Sequence, residues 1–416
     1  MTLPANKEEI LERCKVKGVK FIEMQFTDLL GQLKAVTIPF SKLAEAIDNN
    51  VWFDGSSIEG FARISESDMY LKPDLNTFAV LPWTKENGSL TARLICDIYK
   101  PDGQPYENDP RYILRRQVQA AKEMNFEYFV GPELEFFILK KRDGEILKQR
   151  SDSAKYFDQT YGSAMELRKE MSSALQALNI DVEALHHEVA NGQHEIDFRY
   201  DNPIKTADNA VSFKYALKTI AEKHNMHVTF MPKPFFGVNG SGMHVHQSFF
   251  RENHNAFHNQ TDKYNLSKVA KKFIAGQLKH VKGMSAILNP TINSYKRLVA
   301  GYEAPVYITW ARTNRSSLIR IPRTNQDKPS STRAEIRCPD PTANPYLAFA
   351  VMLATGLHGI NNETTIPMPV EENVYEFTEQ DMKKRNIQTL PADLFGAIKA
   401  LEKDDIVKNA LGKDAF

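Results

Sequence analysis

Short strand patterns outnumber clean β-α-β units in this 416-residue sequence, and that imbalance restricts the fold more than any other feature. Runs rich in β-branched and aromatic residues recur between helical patterns, without a fixed-period repeat or a low-complexity tract. A doubly wound parallel sheet needs a crossover helix between successive strands, which this order does not supply. We therefore predict an α+β fold built on an antiparallel-rich sheet with flanking helices.

The chain divides at a turn-rich segment, Pro101-Asp-Gly-Gln-Pro105. Before it come a short amphipathic helix, a hairpin pattern over residues 19–38, a glycine and serine loop, and further strands. After it, helical and strand patterns alternate, and the last helical pattern runs unbroken over residues 394–411. We predict a small N-terminal domain at residues 1–102 and a larger domain at residues 103–416.

The charge balance and the cysteines exclude several classes of protein. Fifty-three basic residues against 52 acidic ones leave a formal net charge of +1, so no overall field favours nucleic acid or an anionic membrane. The three cysteines, Cys14, Cys96 and Cys338, match no metal-ligand pattern, which indicates reduced thiols in a cytoplasmic protein. The N-terminus has no apolar signal-peptide core, and the longest apolar run, Tyr346–Leu357, is too short to span a bilayer.

Two pairs of glutamates stand out in the larger part. Glu133 and Glu135 are two residues apart in a strand flanked by aromatic residues, so both carboxylates face the same side of a sheet. Glu188 and Glu195 form a second pair across the glycine-containing turn Ala190-Asn-Gly192. Each glutamate alone is equally well explained by a solvated strand face or a surface loop. Together, four carboxylates with neighbouring imidazoles favour Mg²⁺ or Mn²⁺ over zinc and predict a two-metal site.

A glycine-rich loop, Gly237-Val-Asn-Gly-Ser-Gly242, leads directly into a strand that carries His244 and His246 on one face. Glycines let backbone amides approach a carboxylate or a phosphate closely. The loop lacks the Gly-Lys-Ser/Thr of a P-loop and the third glycine of a dinucleotide-binding fingerprint. Glycine loops before strands are common, but the two histidines that follow favour a functional interpretation.

Arginines are concentrated late in the chain, at Arg297, Arg315, Arg320, Arg333 and Arg337. Guanidinium groups at this density suit recognition of carboxylates and phosphates, although strand-face salt bridges would explain any single one. Glu335 lies between Arg333 and Arg337 on one strand face and is equally interpretable as their ion-pair partner or as another metal ligand. Acidic metal sites beside a basic anion clamp predict a metal- and nucleotide-dependent ligase or kinase, without identifying the acceptor.

From about Val19 onward, the sequence resembles the type I glutamine synthetases. The similarity is dense and includes Phe53-Asp-Gly-Ser-Ser-Ile-Glu-Gly-Phe61, Gly131-Pro-Glu-Leu-Glu-Phe-Phe137, His187-Glu-Val-Ala-Asn-Gly-Gln-His-Glu195, Gly237-Val-Asn-Gly-Ser-Gly-Met-His244 and Arg333-Ala-Glu-Ile-Arg-Cys-Pro-Asp-Pro341. The resemblance implies a β-grasp-like N-terminal domain followed by a catalytic domain. It also implies ATP-dependent joining of ammonia to L-glutamate through γ-glutamyl phosphate, which gives L-glutamine, ADP and phosphate.

The resemblance further implies a role for each candidate site residue, with two Mg²⁺ or Mn²⁺ ions per active site. One metal ion would lie on Glu135, Glu188 and Glu195, and the other on Glu133, His244 and Glu335. Residues expected to hold glutamate are Asn239, Gly240, Arg297, Glu303, Arg315 and Arg337. Residues expected to contact ATP are Glu183, His246, Ser248, Arg315, Arg320 and Arg333.

Three of the implied residues would act in catalysis. Asp54 matches the ammonium-binding aspartate of the family, whose carboxylate favours NH₄⁺ and helps to remove its proton. Glu303 matches a mobile flap glutamate that shields the acyl phosphate from water, and Arg315 would lie close to the transferring phosphate. In the family, Asp54 reaches the site of a neighbouring subunit. The resemblance therefore implies a homo-oligomer, a dodecamer of two hexamer rings.

Departures from the family pattern concern regulation and assembly. The segment around Tyr375 lacks the context of the adenylylated subtype, so we expect the shorter, non-adenylylated one. Arg63 matches a feedback-inhibition arginine of that subtype, and we expect direct inhibition by glutamine. The chain stops at Phe416, where relatives continue into a segment that ties the rings, so we expect the ring-to-ring contact to be affected. The resemblance leaves room for nitrogen-regulatory protein partners.

Two alternatives to a glutamine synthetase stay open. The first is a paralogous ligase that joins glutamate to an amine such as a polyamine, and the second is a non-catalytic structural or regulatory relative. The presence of Asp54, Glu303, Arg297 and Arg337 argues against the first. All six metal positions carry ligand-type residues, which argues against the second.

Overall fold

Two sheets organise the protein, whose computed structural model describes residues 5–56, 58, 60, 68–159, 163–302, 304–323 and 328–416. One sheet has five strands and belongs to the N-terminal part, and the other has ten strands and belongs to the larger part. Neighbouring strands are mostly antiparallel, which confirms the predicted α+β class.

The N-terminal sheet has the strand order β2-β1-β5-β4-β3. Its elements are α1 (Lys7–Lys17), β1 (Phe21–Thr27), β2 (Leu33–Pro39), α2 (Leu43–Asn49), β3 (Val51–Asp54), β4 (Asp68–Val80) and β5 (Thr91–Tyr99). The predicted hairpin is confirmed by the antiparallel pairing of β1 with β2, whereas β1 and β5 run parallel. Ile10 and Cys14 of α1 are fully buried in the core of this sheet. The last strand, β3, lies at one edge.

The larger sheet has the main order β13-β14-β15-β11-β6-β9-β8, with β7 and β10 paired to β6 and β12 paired to β11. Its strands are β6 (Glu127–Arg142), β7 (Glu145–Arg150), β8 (Val182–His187), β9 (Gln193–Phe198), β10 (Met226–Thr229), β11 (Met243–Arg251), β12 (His254–Asn255), β13 (Tyr307–Ala311), β14 (Ser317–Arg320) and β15 (Ala334–Ile336). The short strands β3, β7 and β8 were not predicted from the sequence. The long strand β6 lies at the centre, so it can contribute side chains to both neighbouring strands.

The helices of the larger part are α3 (Pro110–Glu123), α4 (Ser163–Ala177), α5 (Pro203–Lys223), α6 (Lys268–Leu288), α7 (Ser294–Arg297), α8 (Pro345–Asn361), α9 (Glu379–Lys384), α10 (Leu394–Glu402) and α11 (Asp405–Leu411). Three of them begin with the same two-residue signal: Asp109-Pro110, Asn202-Pro203 and Asn344-Pro345. In each, the Asp or Asn side chain accepts a backbone hydrogen bond while the proline fixes the first helical residue. Within the described part of the chain, no helix is long and apolar enough to cross a membrane.

The continuous helix predicted over residues 394–411 is wrong, because the structure breaks it into α10 and α11. Asp404 has extended backbone geometry, and its carboxylate accepts hydrogen bonds from the backbone N–H groups of Ile406 and Val407 at 3.2 Å each. The same carboxylate lies 2.8 Å from Nδ1 of His280 in α6. The Asp404 side chain, held in place by the core, therefore caps and starts a new helix. The apolar sequence pattern continues through this point without a break.

One buried arginine joins the two parts of the molecule. Arg111, in the first turn of α3, donates from Nη2 to Asp74 at 2.8 Å and from Nη1 to Asp97 at 2.6 Å, both in the N-terminal sheet. It also binds Asp208 of α5 through Nε at 3.0 Å and Nη2 at 2.9 Å. The hydroxyl of Tyr346 donates to Asp208 at 2.7 Å. The predicted boundary at residues 102 and 103 falls between β5 and α3, beside this network, and stays a prediction.

Candidate functional site

The central strands of the larger sheet bring the predicted metal-ligating side chains together. Antiparallel pairing of β6 with β11 places Glu133 opposite His244, and pairing of β6 with β9 places Glu135 opposite Glu195. On the other side of β11, β15 adds Glu335. Side chains two residues apart share a face, so these groups converge on one side of the sheet.

The first cluster consists of Glu133, His244 and Glu335, whose candidate ligand atoms lie within 4.8 Å of one another. Nδ1 of His244 lies 3.2 Å from Oε2 of Glu133 and 3.7 Å from Oε1 of Glu335. Glu335 also binds Arg337 at 2.6 Å and Arg320 at 2.9 Å. Burial acts to raise the pKa of Glu335, but the Arg337 guanidinium and two imidazoles lower it below the ordinary value. Glu335 is therefore an ion-pair partner that also faces a candidate ligand, so the two interpretations of this residue are compatible.

The second cluster consists of His186, Glu188 and Glu195, again with ligand atoms within 4.8 Å of one another. His186 lies between the carboxylates, with Nδ1 3.4 Å from Glu188 Oε1 and Nε2 3.2 Å from Glu195 Oε1. The antiparallel pairing of β8 with β9 creates this arrangement. His186 was not predicted as a site residue, although its position two residues before Glu188 was a usable signal.

Glu135 contacts the second cluster from the central strand and is fixed by hydrogen bonds. Its Oε2 accepts from Nε2 of Gln193 at 2.9 Å and from the backbone N–H of Gly242 at 3.0 Å. Gln193 also donates to the carbonyl of Gly240 at 3.0 Å. This amide, which sequence reasoning missed, ties a candidate metal ligand to the glycine-rich loop.

The electrostatics of these clusters fit a divalent cation. Burial, together with the negative charges of Glu135 and Glu133, raises the pKa of Glu195 far above its ordinary value. Carboxylates held this closely repel one another, and a cation relieves the repulsion. A donor set of carboxylate oxygens with imidazole nitrogens suits Mg²⁺ or Mn²⁺.

We expect metal binding at the second cluster to release protons. The raised pKa keeps Glu195 protonated near neutral pH in the metal-free protein, so ligation by its carboxylate displaces that proton. Apparent Mn²⁺ affinity should therefore rise by up to about tenfold per pH unit between about pH 6 and 8. Calorimetric titration in buffers of different ionisation enthalpy counts the released protons. The Glu195→Gln variant should not release this proton on binding Mn²⁺. A Mn²⁺ affinity of the wild type that does not change with pH would contradict the prediction.

A cavity of about 420 Å³ lies beside the first cluster. Its lining includes four residues predicted to contact the nucleotide: Glu183, His246, Ser248 and Arg333. Nε2 of His246 lies 2.7 Å from Oε1 of Glu133, and Arg333 Nε donates to His246 Nδ1 at 3.1 Å. Arg320, predicted for the same ligand, is bound to Glu335 instead. The cavity thus brings basic side chains against a candidate metal ligand.

A second cavity is lined by four residues predicted to hold glutamate, namely Asn239, Gly240, Arg297 and Arg337, and also by Glu135, Glu188 and His244 from the two clusters. Arg297 is buried and anchors neighbouring backbone, because its Nη1 donates to the Cys338 carbonyl at 2.9 Å and its Nη2 to the Arg337 carbonyl at 3.1 Å. The cavity therefore combines an acidic wall with two fixed guanidinium groups.

Asp54 lies apart from both clusters, at the end of edge strand β3. Its side chain is exposed, and hydrogen bonds from Ser56 lower its pKa. Across the sheet it pairs with Asp68 of β4. This carboxylate is therefore ionised and accessible at the rim of the N-terminal sheet.

Of the three remaining predicted residues, the structure describes only Arg315. Arg315 is exposed in the turn between β13 and β14, where its charge opposes the rise that burial causes in the pKa of Tyr156. Glu303 lies outside the described residues, although its neighbours Tyr302 and Ala304 line the second cavity. Arg63 also lies outside the described residues.

A larger cavity, of about 870 Å³, lies away from this site. It is bordered by the turn between β1 and β2, by α5 and by β10. None of the predicted site residues that the structure describes lines it. The convergence of ligand-type side chains, and not cavity size, locates the candidate site.

Comparison with known proteins identifies the family. Residues 18–101 match the family described as "Glutamine synthetase, beta-Grasp domain", and residues 107–416 match "Glutamine synthetase, catalytic domain". The chain belongs to the glutamine synthetase family. Glutamine synthetase of Thermotoga maritima is 52% identical, covering 100% of this chain and 93% of the relative. That of Clostridium saccharobutylicum is 49% identical, covering 99% and 92%. The expected β-grasp N-terminal domain is thereby confirmed.

Solved structures extend the comparison to the glutamine synthetase fold. A complex of GmaS with ADP matches with a TM-score of 0.87 and 31% identity, covering 98% of this chain and 93% of that one. Plasmodium falciparum glutamine synthetase matches with a TM-score of 0.86 and 26% identity, covering 97% and 91%. The fold of this chain is therefore shared with both of these structures.

Proposed function

We propose that this protein is a glutamate–ammonia ligase that converts L-glutamate, ammonium and ATP to L-glutamine, ADP and phosphate. One observation carries the proposal: the acidic clusters lie between two cavities of different chemistry. Glu133 and His246 border the cavity expected to take the nucleotide. Glu135, Glu188 and His244 border the cavity expected to take glutamate. A phosphoryl group passing between the two substrates would cross the clusters.

Two chemical steps would complete the reaction. An oxygen of the γ-carboxylate of glutamate attacks the γ-phosphorus of ATP, ADP leaves, and γ-glutamyl phosphate forms. Ammonia then attacks the γ-carbonyl carbon, the C–O bond to phosphate breaks, and glutamine and phosphate are released. Two Mg²⁺ or Mn²⁺ ions, when bound, neutralise the phosphate charge during the first step.

Roles are assigned to individual residues from the family resemblance, and the clusters and cavities described above support several of them. We propose that Glu133, His244 and Glu335 hold one metal ion, and that Glu135, Glu188 and Glu195 hold the other, with His186 adjacent. Arg297, Arg337, Asn239 and Gly240 would orient glutamate. Glu183, His246, Ser248, Arg320 and Arg333 would act on the nucleotide side. Arg315 would stabilise the transferring phosphoryl group, and Glu303 would exclude water from the acyl phosphate.

We propose that Asp54 serves the active site of a neighbouring subunit. Its exposure at the rim of the N-terminal sheet supports this role, because an ionised carboxylate on an outer edge is available to another chain. The assembly would be a homo-oligomer of the family type, a dodecamer of two hexamer rings.

Asp54→Ala should impair ammonium use far more than ATP binding. Loss of the carboxylate removes the group that favours NH₄⁺ and accepts its proton, so the KM for ammonium should rise by about 100-fold. The KM for ATP should change by less than about twofold. Steady-state phosphate release at varied ammonium and varied ATP measures both. Asp68→Ala, the exposed partner across the same strand pair, is the matched control and should behave as wild type. Equal increases in the KM for ammonium and the KM for ATP would indicate a structural role for Asp54.

One assay tests the function itself. Phosphate release from ATP with glutamate and Mg²⁺ is compared in the presence of ammonium and of a panel of amines. We expect ammonium to be the preferred acceptor. Preference for a polyamine would instead identify a γ-glutamyl–amine ligase, and the absence of any acceptor-dependent release would identify a non-catalytic relative.

We further propose that the protein belongs to the shorter type I subtype, that it acts in the cytoplasm and that it is not adenylylated. Glutamine would inhibit it directly through Arg63, and nitrogen-regulatory proteins would bind the assembled rings. The absence of the adenylylated context near Tyr375 supports this assignment.

A further inference from the structure

Three side chains of metal-ligand type lie behind the β8–β9 turn, at a place that no role proposed above includes. They are Asp152, His187 and His194, and their ligand atoms lie within 4.8 Å of one another. Both histidines are fully buried, and Asp152 is partly exposed. We call this group the Asp152 cluster. The position of the Asp152 cluster points to a function, because the turn beside it carries Glu188 on one side and leads to Glu195 on the other.

The carboxylate of Asp152 holds the turn at two points. Its Oδ1 accepts a hydrogen bond from His187 Nε2 at 2.8 Å and another from the backbone N–H of Gly192 at 3.0 Å. The other ring nitrogen of His187, Nδ1, lies 2.7 Å from the backbone carbonyl oxygen of Glu188, within hydrogen-bond distance. A continuous chain of hydrogen bonds therefore runs from Asp152, through an imidazole, to the peptide group of a candidate metal ligand.

Close packing reinforces these hydrogen bonds. Gly192 has a φ of +72°, and a Cβ added there would lie 2.8 Å from the Cβ of Arg150. Arg150 also donates to the Asn191 side chain at 3.3 Å. The strand that precedes Asp152 thus lies directly against the turn, so the turn cannot move unless this segment moves with it.

The donor set favours a structural clamp, which holds the turn in place, over a third metal ion in the Asp152 cluster. The cluster offers one carboxylate, whereas each of the two proposed metal sites offers at least two. The guanidinium of Arg168 also places a positive charge near His194. With a single carboxylate to offset that charge, the cluster would hold a divalent cation weakly.

We propose that Asp152 is a positioning residue for the metal site that contains Glu188 and Glu195, acting through His187 and the β8–β9 turn. Removal of a group that orients metal ligands typically weakens metal binding by about 10- to 100-fold. The proposal rests on the proposed function only in that it assigns a metal ion to Glu188 and Glu195.

Binding of Mn²⁺, followed by calorimetry and electron paramagnetic resonance on the full-length protein, tests the proposal without relying on catalysis. Asp152→Ala should weaken one of the two Mn²⁺ sites by about 10-fold or more and leave the site of Glu133, His244 and Glu335 unchanged. Asp152→Asn, which keeps an oxygen acceptor for His187 and Gly192, should recover most of that affinity. The matched control is Asp158→Ala, because Asp158 is exposed in the same segment and its carboxylate accepts a local hydrogen bond from the backbone N–H of Lys155.

A second residue tests whether the effect travels through the imidazole. His187→Asn keeps a donor for the Glu188 carbonyl but loses contact with Asp152, so it should weaken the same Mn²⁺ site. In the Asp152→Ala, His187→Asn double variant the two losses should not add, because both break one chain of hydrogen bonds.

The outcomes separate this inference from the proposed function. Unchanged Mn²⁺ binding in Asp152→Ala, or equal weakening of both sites with a lowered melting temperature, would overturn the positioning role even if the wild type makes glutamine. Selective weakening of one site would support it even if the wild type shows no ammonium-dependent phosphate release. A third Mn²⁺ that disappears with Asp152→Ala would replace the clamp with a metal site.

Discussion

Glu335→Gln should lower ammonium-dependent phosphate release by about 1,000-fold or more. The side chain is 1% exposed, lies between Arg320 and Arg337, and faces His244. Glutamine has nearly the same shape but no negative charge, so it is a poor ligand for Mg²⁺ or Mn²⁺ and a poor partner for two guanidinium groups. We therefore expect the Mn²⁺ site of this cluster to be lost together with the activity.

The Glu335 experiment requires control of folding, because a neutral residue removes the charge that pairs with buried Arg337 and half-buried Arg320. Loss of one partner of a buried ion pair costs about 3–5 kcal/mol, and a thermal melt of the variant measures how much of that appears here. Glu372→Gln is the matched control, since Glu372 binds Arg385 at 2.8 Å on the surface and should lose neither activity nor metal. A folded Glu335→Gln protein with more than about a tenth of wild-type activity would contradict the assignment.

Gly240→Ala should disable glutamate use through a steric clash with the backbone. A Cβ added at Gly240 would lie 2.2 Å from the carbonyl oxygen of Pro232, and that carbonyl already accepts the N–H of Ser241 at 2.8 Å. Backbone cannot rotate away as a side chain can, so the glycine-rich loop must shift by about 1 Å. A displacement of that size at a substrate-positioning loop reduces catalysis by about 100-fold.

The clash at Gly240 should impair glutamate binding more than nucleotide binding. The loop borders the cavity expected to take glutamate, whereas the nucleotide cavity is lined by other segments. The KM for glutamate should rise steeply while the binding of an ATP analogue changes little. Gly396→Ala is the control, because its added Cβ would meet no backbone atom and would lie 3.3 Å from Oδ1 of Asp393 and 3.5 Å from Cβ of Pro391. An unchanged KM for glutamate would show that the loop is not part of that site.

The sequence predicted the chemistry of the site better than its geometry. The spacing of Glu133 and Glu135 was enough to place both carboxylates on one face, because a strand alternates with a period of two. The register that sets Glu133 opposite His244 joins segments more than 100 residues apart and depends on how the whole sheet assembles. Local pattern carries no information about that pairing.

The features that were missed have two different causes. His186 becomes a candidate ligand because β8 pairs with β9 across a short turn, and β8 itself was not predicted. The break at Asp404 depends on a cap whose carboxylate is held by His280 from another helix. An apolar pattern identifies the face of a helix but does not record which distant side chain interrupts it.

Arg111 has a consequence for how substrates enter the molecule. Its guanidinium binds Asp74 and Asp97 from the N-terminal sheet and Asp208 from the larger part at the same time. Opening the two parts by a hinge would separate these charges, and breaking a buried ion pair costs about 3–5 kcal/mol. We therefore expect the two parts to keep their relative orientation during turnover, so that substrate entry and exclusion of water depend on loops and not on a hinge between the two sheets.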